Sequence, residues 1–259
     1  FDKILTGLNS TIRGTTDEPV NIMTEYLDLG RAVSDDDYYQ RFIINMYNNK
    51  LSEFTVDLLI TVGPGVNNEI KKYGDSTLKS LNMINVDLDI PGRTTLHDLG
   101  IKNGKEILLK FQVDKTLGHS FELFPEHKEV FVISGTSSFD LFYTSLVKKV
   151  KSEFEPDHHF NFISDLSLDS TIRFVRTIPP KSIVFVPAYL QDAAKVSFST
   201  PEVLEMISKN STAPVFLSVT DGGFSAEGGG IGGYLFSYTN LGKEMGRIAH
   251  EILDGKQMQ

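Results

Sequence analysis

Residues 181–255 read KSIVFVPAYLQDAAKVSFSTPEVLEMISKNSTAPVFLSVTDGGFSAEGGGIGGYLFSYTNLGKEMGRIAHEILDG, and the order of their parts decides the fold. An apolar run, SIVFVP, predicts a buried strand that ends in a polar loop. A helix opens at Thr200-Pro201, and a second strand, APVFLSV, follows. A glycine-rich passage then leads to a strand over 234–238 and a helix over 242–253, with Gly255 as its C-cap. Strands alternating with helices build parallel sheets covered on both faces. In open sheets of this kind, ligands bind at the loops that follow the strands.

The same grammar extends upstream. Apolar positions Ile4, Leu5, Leu8 and Ile12 share one face of an opening helix. Residues 20–29 read as a strand. Ser34-Asp35-Asp36-Asp37 reads as a cap with acids at the start of a helix running to about Asn49, with Phe42, Ile43, Met46 and Tyr47 inward. VDLLITV, residues 56–62, is a near-continuous apolar run, as parallel strands buried on both faces are. It ends in Gly63-Pro64-Gly65, and a helix to Tyr73 and a short strand over 83–86 follow. Residues 108–113 read as a connection. The pattern then restarts with a helix over 116–124, the strand EVFVIS at 129–134, a helix over 139–154, a strand over 160–163, and a short helix over 170–177. The restart implies two α/β units.

Composition narrows the function. Forty per cent hydrophobic and 23% charged residues are ordinary for a globular chain. A net charge of −9 argues against nucleic acid and acidic lipid as partners, since both need a basic face. With no cysteine, disulfides, thiolate metal sites and cysteine nucleophiles are excluded. No apolar run is long enough to span a bilayer, and no secretory leader is visible. The chain opens on a helix with no strand before it, as expected of a piece of a longer protein.

Several pieces, in order and spacing, carry a family resemblance. They are DKTLGHSFELFPEHKEVFVISGTSSFD at 114–140, IVFVPAYLQDA at 183–193, STPEVLEMISKNSTAPVF at 199–216, and GGGIGGYLFSYTNLGKEMGRIAHEILDGK at 228–256. The chain resembles the type I periplasmic-binding-protein fold, and within it the extracytoplasmic sensor domains of bacterial histidine kinases. Free-standing solute-binding proteins of ABC transporters are more distant relatives. The resemblance implies an α/β fold of two doubly wound parallel-sheet lobes joined by a hinge. The first lobe would be residues 1–112 with 224–259, and the second residues 113–223. It departs from the family in lacking the opening strand, which is central in the first lobe's sheet, and a strand after the last helix.

That fold implies a small polar solute (an amino acid, a sugar or a similar molecule) held between the lobes, with closure as the signal. The membrane helix, the cytoplasmic kinase and any homodimer formed through it would lie outside these residues, and the domain would sit on the periplasmic or extracellular side. The alternative is a transporter's solute-binding protein. A doubly wound enzyme ranks below both, because the sequence offers no acid–base pair and no nucleophile motif. No cofactor and no metal are expected.

Candidate ligand-binding residues fall on the strand-end loops. They are Gly63 and Gly65; Gly135, Thr136, Ser137, Phe139 and Asp140; Tyr189, Gln191 and Asp192; and Asp221 and Glu227. Hydroxyls, amides and acids there offer hydrogen bonds, and Phe139 and Tyr189 offer ring faces. The competing reading is structural: Asp140, three residues after Ser137, is placed to cap its helix. Gly228-x-Gly230-x-x-Gly233 matches a dinucleotide fingerprint, but a strand is expected after it where a helix should open. A hinge or a close backbone approach suits those glycines better. His158-His159 after Pro156-Asp157 reads as a solvated turn.

Overall fold

The computed structural model describes residues 2–15, 19–27, 37–217 and 229–254. The chain divides into two compact units, Phe1–Lys110 with Tyr238–Gln259, and Phe111–Ser237.

Unit 1 holds a three-stranded parallel sheet in the order β1 (Leu58–Val62), β2 (Asn82–Leu88), β3 (Gly104–Leu109). One face carries Leu58, Ile60, Val62, Ile84, Val86, Ile107 and Leu109. Against it pack α1 (Asp2–Thr15) and α9 (Tyr238–Leu253). The other face, with Leu59 and Met83, is covered by α2 (Tyr38–Glu53), α3 (Val66–Tyr73), α4 (Ser76–Ser80) and the loop bearing Leu96, Leu99 and Ile101. Side chains alternate across a strand, so this two-sided burial is why VDLLITV is apolar throughout.

Four details of unit 1 differ from the sequence reading. Residues 19–27 form no ladder, although Val20 and Ile22 still pack beneath the α1–α9 face. Residues 108–113 are not simply a connection, because β3 runs through Leu109; the charged pair Lys105-Glu106 broke its apolar run. On α2 the inward face is Ile44 and Asn48, with Tyr47 and Leu51 partly buried, while Phe42 and Met46 are exposed. Asn48 turns that face inward, since its amide donates to Tyr73 O (2.9 Å) and accepts from Asp75 N (3.2 Å). Asp37 is the N-cap residue of α2, yet its carboxylate accepts from the Tyr73 hydroxyl rather than capping. Residues 34–36 and Gly255 lie outside the described residues.

Unit 2 holds a four-stranded parallel sheet in the order β5 (His159–Ile163), β4 (Glu129–Ile133), β6 (Ser182–Val186), β7 (Val215–Leu217). Phe131, Ile133, Val184, Val186, Val215 and Leu217 face α7 (Leu168–Val175) and α8 (Thr200–Asn210). Val130, Val132, Ile183, Phe185 and Phe216 face α5 (Val113–Leu123) and α6 (Ser138–Val150). The unit is therefore doubly wound. β4 feeds α6 on one face and β6 feeds α8 on the other, so the sheet's switch point lies between the ends of β4 and β6.

The glycine-rich passage is a close backbone approach. Ile231 N donates to Val215 O and Leu217 N to Gly232 O, laying residues 231–232 parallel to β7. A Cβ on Gly233 would sit 2.0 Å from Leu217 O, and one on Gly230 2.6 Å from Val215 O. Pairing thus occurs before Tyr234, not over 234–238 as the sequence suggests. Residues 234–237 are irregular and α9 begins at Tyr238. This pairing keeps the passage in unit 2 as far as Ser237.

His158 is no solvated turn. It is 8% exposed, and its ring stacks on Phe121 at 3.6 Å between centroids. Nε2 is buried with no partner, and Nδ1 has only Phe154 O at 3.4 Å. Burial lowers its pKa below the ordinary 6.5, assisted by Lys128 and His159 and opposed by the Phe154 carbonyl and Asp157. The unfolded chain then binds the proton more readily. Unit 2 should therefore lose stability as pH falls from about 6.5 toward the folded value. Urea unfolding at pH 7.5 and pH 5 should show this loss, and His158→Phe should reduce it; an unchanged pH dependence in the variant refutes the assignment.

Candidate functional site

The strand ends of unit 2 bring together most of the residues expected to bind, and they are largely occupied with one another. Ser137 is the N-cap of α6 and forms a capping box with Asp140. Asp140, 0% exposed, also reaches the loop after β6: Leu190 N donates to Oδ1 (2.8 Å), while Gln191 N and Ser137 N donate to Oδ2 (3.2 and 3.0 Å). Thr136 N donates to Gln191 O (2.7 Å), and Thr136 Oγ1 to Asp192 O (2.8 Å). Gly135 lies under this knot, where a Cβ would stand 2.4 Å from Gln191 O.

The other two candidates are equally committed. Asp192 accepts from Leu168 N (2.9 Å) and Val196 N (3.0 Å), holding the start of α7 and its own loop. Tyr189 is 1% exposed within the core, its hydroxyl 3.3 Å from Thr171 Oγ1; burial raises its pKa. So Asp140, Asp192 and Tyr189 have structural work. Ser138 is exposed at this rim, and Thr136, Ser137, Phe139 and Gln191 are half-buried. Asp221 and Glu227 lie outside the described residues.

Unit 1 offers more open chemistry. On the α3 face, register places Thr61, Asn85 and Glu106 in one row across β1, β2 and β3. Thr61 Oγ1 donates to Asn85 Oδ1 (2.8 Å). Two residues further along β2, Asp87 faces the same side and is 4% exposed. A shallow pocket opens here, lined by Pro64, Gly65, Asn68, Asp87 and the loop 90–94. Gly65 lines it as the N-cap of α3 at φ 87°; Gly63 lies one step below, donating its N–H to Val86 O.

The charges of this pocket are unequal in their commitments. Arg93 grips Glu106 with its two terminal nitrogens, Nη1 donating to Oε1 (2.5 Å) and Nη2 to Oε2 (3.1 Å). Burial works to raise the Glu106 carboxyl, but Arg93, by hydrogen bond and by charge, more than offsets it, so the group sits below its ordinary value. Asp87 goes the other way. Burial raises it, although Leu88 N donates to Oδ1 (2.7 Å) and Arg93 is near. Asn85 Nδ2 lies beside both carboxylates and forms a good hydrogen bond with neither. Among the described residues no group of three or more acids and histidines could hold a metal ion, and no helix is long and apolar enough to cross a membrane.

Asn85, Asp87 and Arg93 were not among the sequence candidates. For Asn85 and Asp87 the signal was the run MINVDL, where two polar residues fall on one side of an otherwise apolar strand.

No protein-family model matches the chain, and no curated protein matches it in sequence. Two solved structures match it in fold. A conserved domain protein from Vibrio cholerae O1 biovar El Tor superposes with a TM-score of 0.58 at 15% identity, over 99% of this chain and 81% of that one. A LacI family transcriptional regulator from Bifidobacterium animalis subsp. lactis gives 0.59 at 10% identity, over 100% and 88%. The fold is of the type I periplasmic-binding-protein kind. In such a fold the strand-end loops are where a ligand is sought, and the unit 1 pocket lies on them.

Proposed function

We propose that this chain is a ligand-binding domain with no chemistry of its own, and that it takes a small polar solute at its strand-end loops. The observation that carries the reading is the polar row on a sheet buried on both faces, which leads to Asp87 and the open start of α3 in a shallow pocket. Within that row Asn85 Nδ2 is buried without a good partner, which is costly unless something completes it. Asp140, Asp192 and the Thr136 hydroxyl at the unit 2 rim do not share this openness, being tied to backbone.

In its parent protein, the domain would serve as the extracytoplasmic sensor of a membrane-bound histidine kinase. The ligand would favour a closed arrangement about the hinge segments, and closure would be the signal. The sequence pieces at 114–140 and 183–193 support that role over delivery to a transporter, because they resemble the sensor branch. A ligand signals only through its preference for one state, and a nearly complete switch needs about 5.5 kcal/mol of preference.

Thermal-shift screening of sugars, polyols, amino acids and organic acids, followed by calorimetry, tests the reading. At a hundredfold excess over Kd, one class of solute should stabilise the fold by about 2.7 kcal/mol. If no solute in the panel stabilises it, the binding role is wrong.

A further inference from the structure

We propose that Asn103-Gly104 is a self-modifying site, where the folded chain converts its own asparagine to aspartate and isoaspartate through a cyclic imide. The inference stands apart from the solute-binding reading and concerns the start of β3.

The step balances with water as the only co-reactant. The Gly104 nitrogen, having given its proton to solvent base, attacks Cγ of Asn103. A C–N bond forms, the bond from Cγ to Nδ2 breaks, and the amide nitrogen leaves with that proton as ammonia. Water then opens the five-membered imide at either carbonyl. Opening at the side-chain carbonyl gives aspartate. Opening at the main-chain carbonyl gives isoaspartate, whose main chain runs through Cβ and Cγ.

The reaction needs an exposed amide carbon beside an unclaimed nitrogen. Asn103 is exposed, and its amide donates one hydrogen bond, from Nδ2 to Asn82 Oδ1 (2.6 Å). Asn103 O accepts from Met83 N (3.1 Å), so it points at β2. The 103–104 peptide is trans, which turns the Gly104 N–H the opposite way, to the outer side of β3. Among the described residues no strand or side chain takes it there. Gly104 also brings no Cβ to block the approach. The fold fixes that glycine, since a Cβ would stand 2.7 Å from both Met83 O and Leu96 Cδ1. The sequence holds no other Asn-Gly pair.

The product does not fit where the asparagine did. A carboxylate at 103 sets an acceptor against Asn82 Oδ1, and Asn82 Nδ2 already donates to Asp57 O (3.0 Å). Isoaspartate adds a main-chain carbon ahead of Gly104, where Met83 and Leu96 leave no slack. The start of β3 is then displaced from β2. Glu106, two residues on, carries its contacts with Arg93 and Leu96 N along.

Peptide mapping of the whole chain, warmed at mildly alkaline pH both folded and in urea, tests this. Asn103 should convert in the folded chain within about threefold of its rate in urea, because a shielded site would wait for local opening and fall far behind. Both aspartate and isoaspartate should form. Asn103→Gln should stop the acidic species from appearing, and mapping of the unaltered chain decides the matter should that variant fail to fold. The isoaspartate form, separated by charge, should exchange the Met83 amide faster than the unmodified chain. Asn103 that stays amidated when folded but converts in urea overturns the site. Aspartate without isoaspartate overturns the imide route. Unchanged protection of the Met83 amide in the isoaspartate form overturns the displacement of β3.

Discussion

Asp140→Ala should destabilise unit 2 by about 3–5 kcal/mol, although the residue makes no exposed contact. The carboxylate accepts from three backbone N–H groups, those of Ser137, Leu190 and Gln191, and it is wholly buried. Deleting it leaves three donors without acceptors, each costing about 1–3 kcal/mol, and the sum falls short of additive because the loop relaxes and admits water. Three links of the knot survive in the variant: Thr136 N to Gln191 O, Thr136 Oγ1 to Asp192 O, and Gly135 N to Ala188 O at 3.3 Å. The β6–α8 loop should therefore loosen rather than detach. Hydrogen exchange at the Leu190 and Gln191 amides reads this directly and should accelerate well beyond that of β4. Asp140→Asn, which keeps one acceptor oxygen and sets an N–H₂ against the other donors, should fall between. A loss under about 1 kcal/mol with unchanged exchange would mean that the carboxylate does not hold the loop.

Asp140 also shows what the sequence could and could not say. Its spacing from Ser137 announced a capping box, and its place after a buried strand announced a ligand loop; both readings use the same residue types. Only the path of residues 187–192 back over the β4–α6 turn decides between them, and a contact fifty residues apart leaves no local pattern. The parallel strands were legible because burial on both faces makes them apolar throughout, as in VDLLITV, EVFVI and SIVFV. β3 was not, since Glu106 serves Arg93 and so breaks the apolar run that marks a strand. Residues 20–27 have strand composition and no ladder, because strand propensity needs a neighbouring strand to become structure. The glycines at 230 and 233 were readable as a close approach, but not which strand they approach. The unit 1 pocket was visible only in part. Gly65 stood out as a turn residue, while Asp87 and Asn85 passed as ordinary strand polarity.

Gly242→Val should damage unit 1 as severely as the loss of Asp140 damages unit 2, by crowding instead of by unmet hydrogen bonds. α1 and α9 cross at glycines: a Cβ on Gly242 would lie 2.0 Å from Ile4 O, and one on Gly7 2.1 Å from Thr239 O. These are backbone atoms of a facing helix, so no rotamer change relieves the contact, and the helices must move apart. Separation strips cover from Ile4, Leu8 and Ile12, each 3% exposed, and from Leu241, Met245 and Ile248 opposite them. The expected loss is about 3 kcal/mol, at the upper end for overpacking. α1 has 14 residues, a length that is marginal for a helix alone in water, so once displaced it should unravel. Limited proteolysis should then cut within α1 well before any site in β1–β3. Gly118→Ala in α5 separates crowding from helix propensity: nothing lies within 4 Å of its Cβ position, and it should gain about 0.5–1 kcal/mol. If Gly242→Val leaves α1 protected and stability within about 0.5 kcal/mol, the two helices do not cross as closely as their glycines imply.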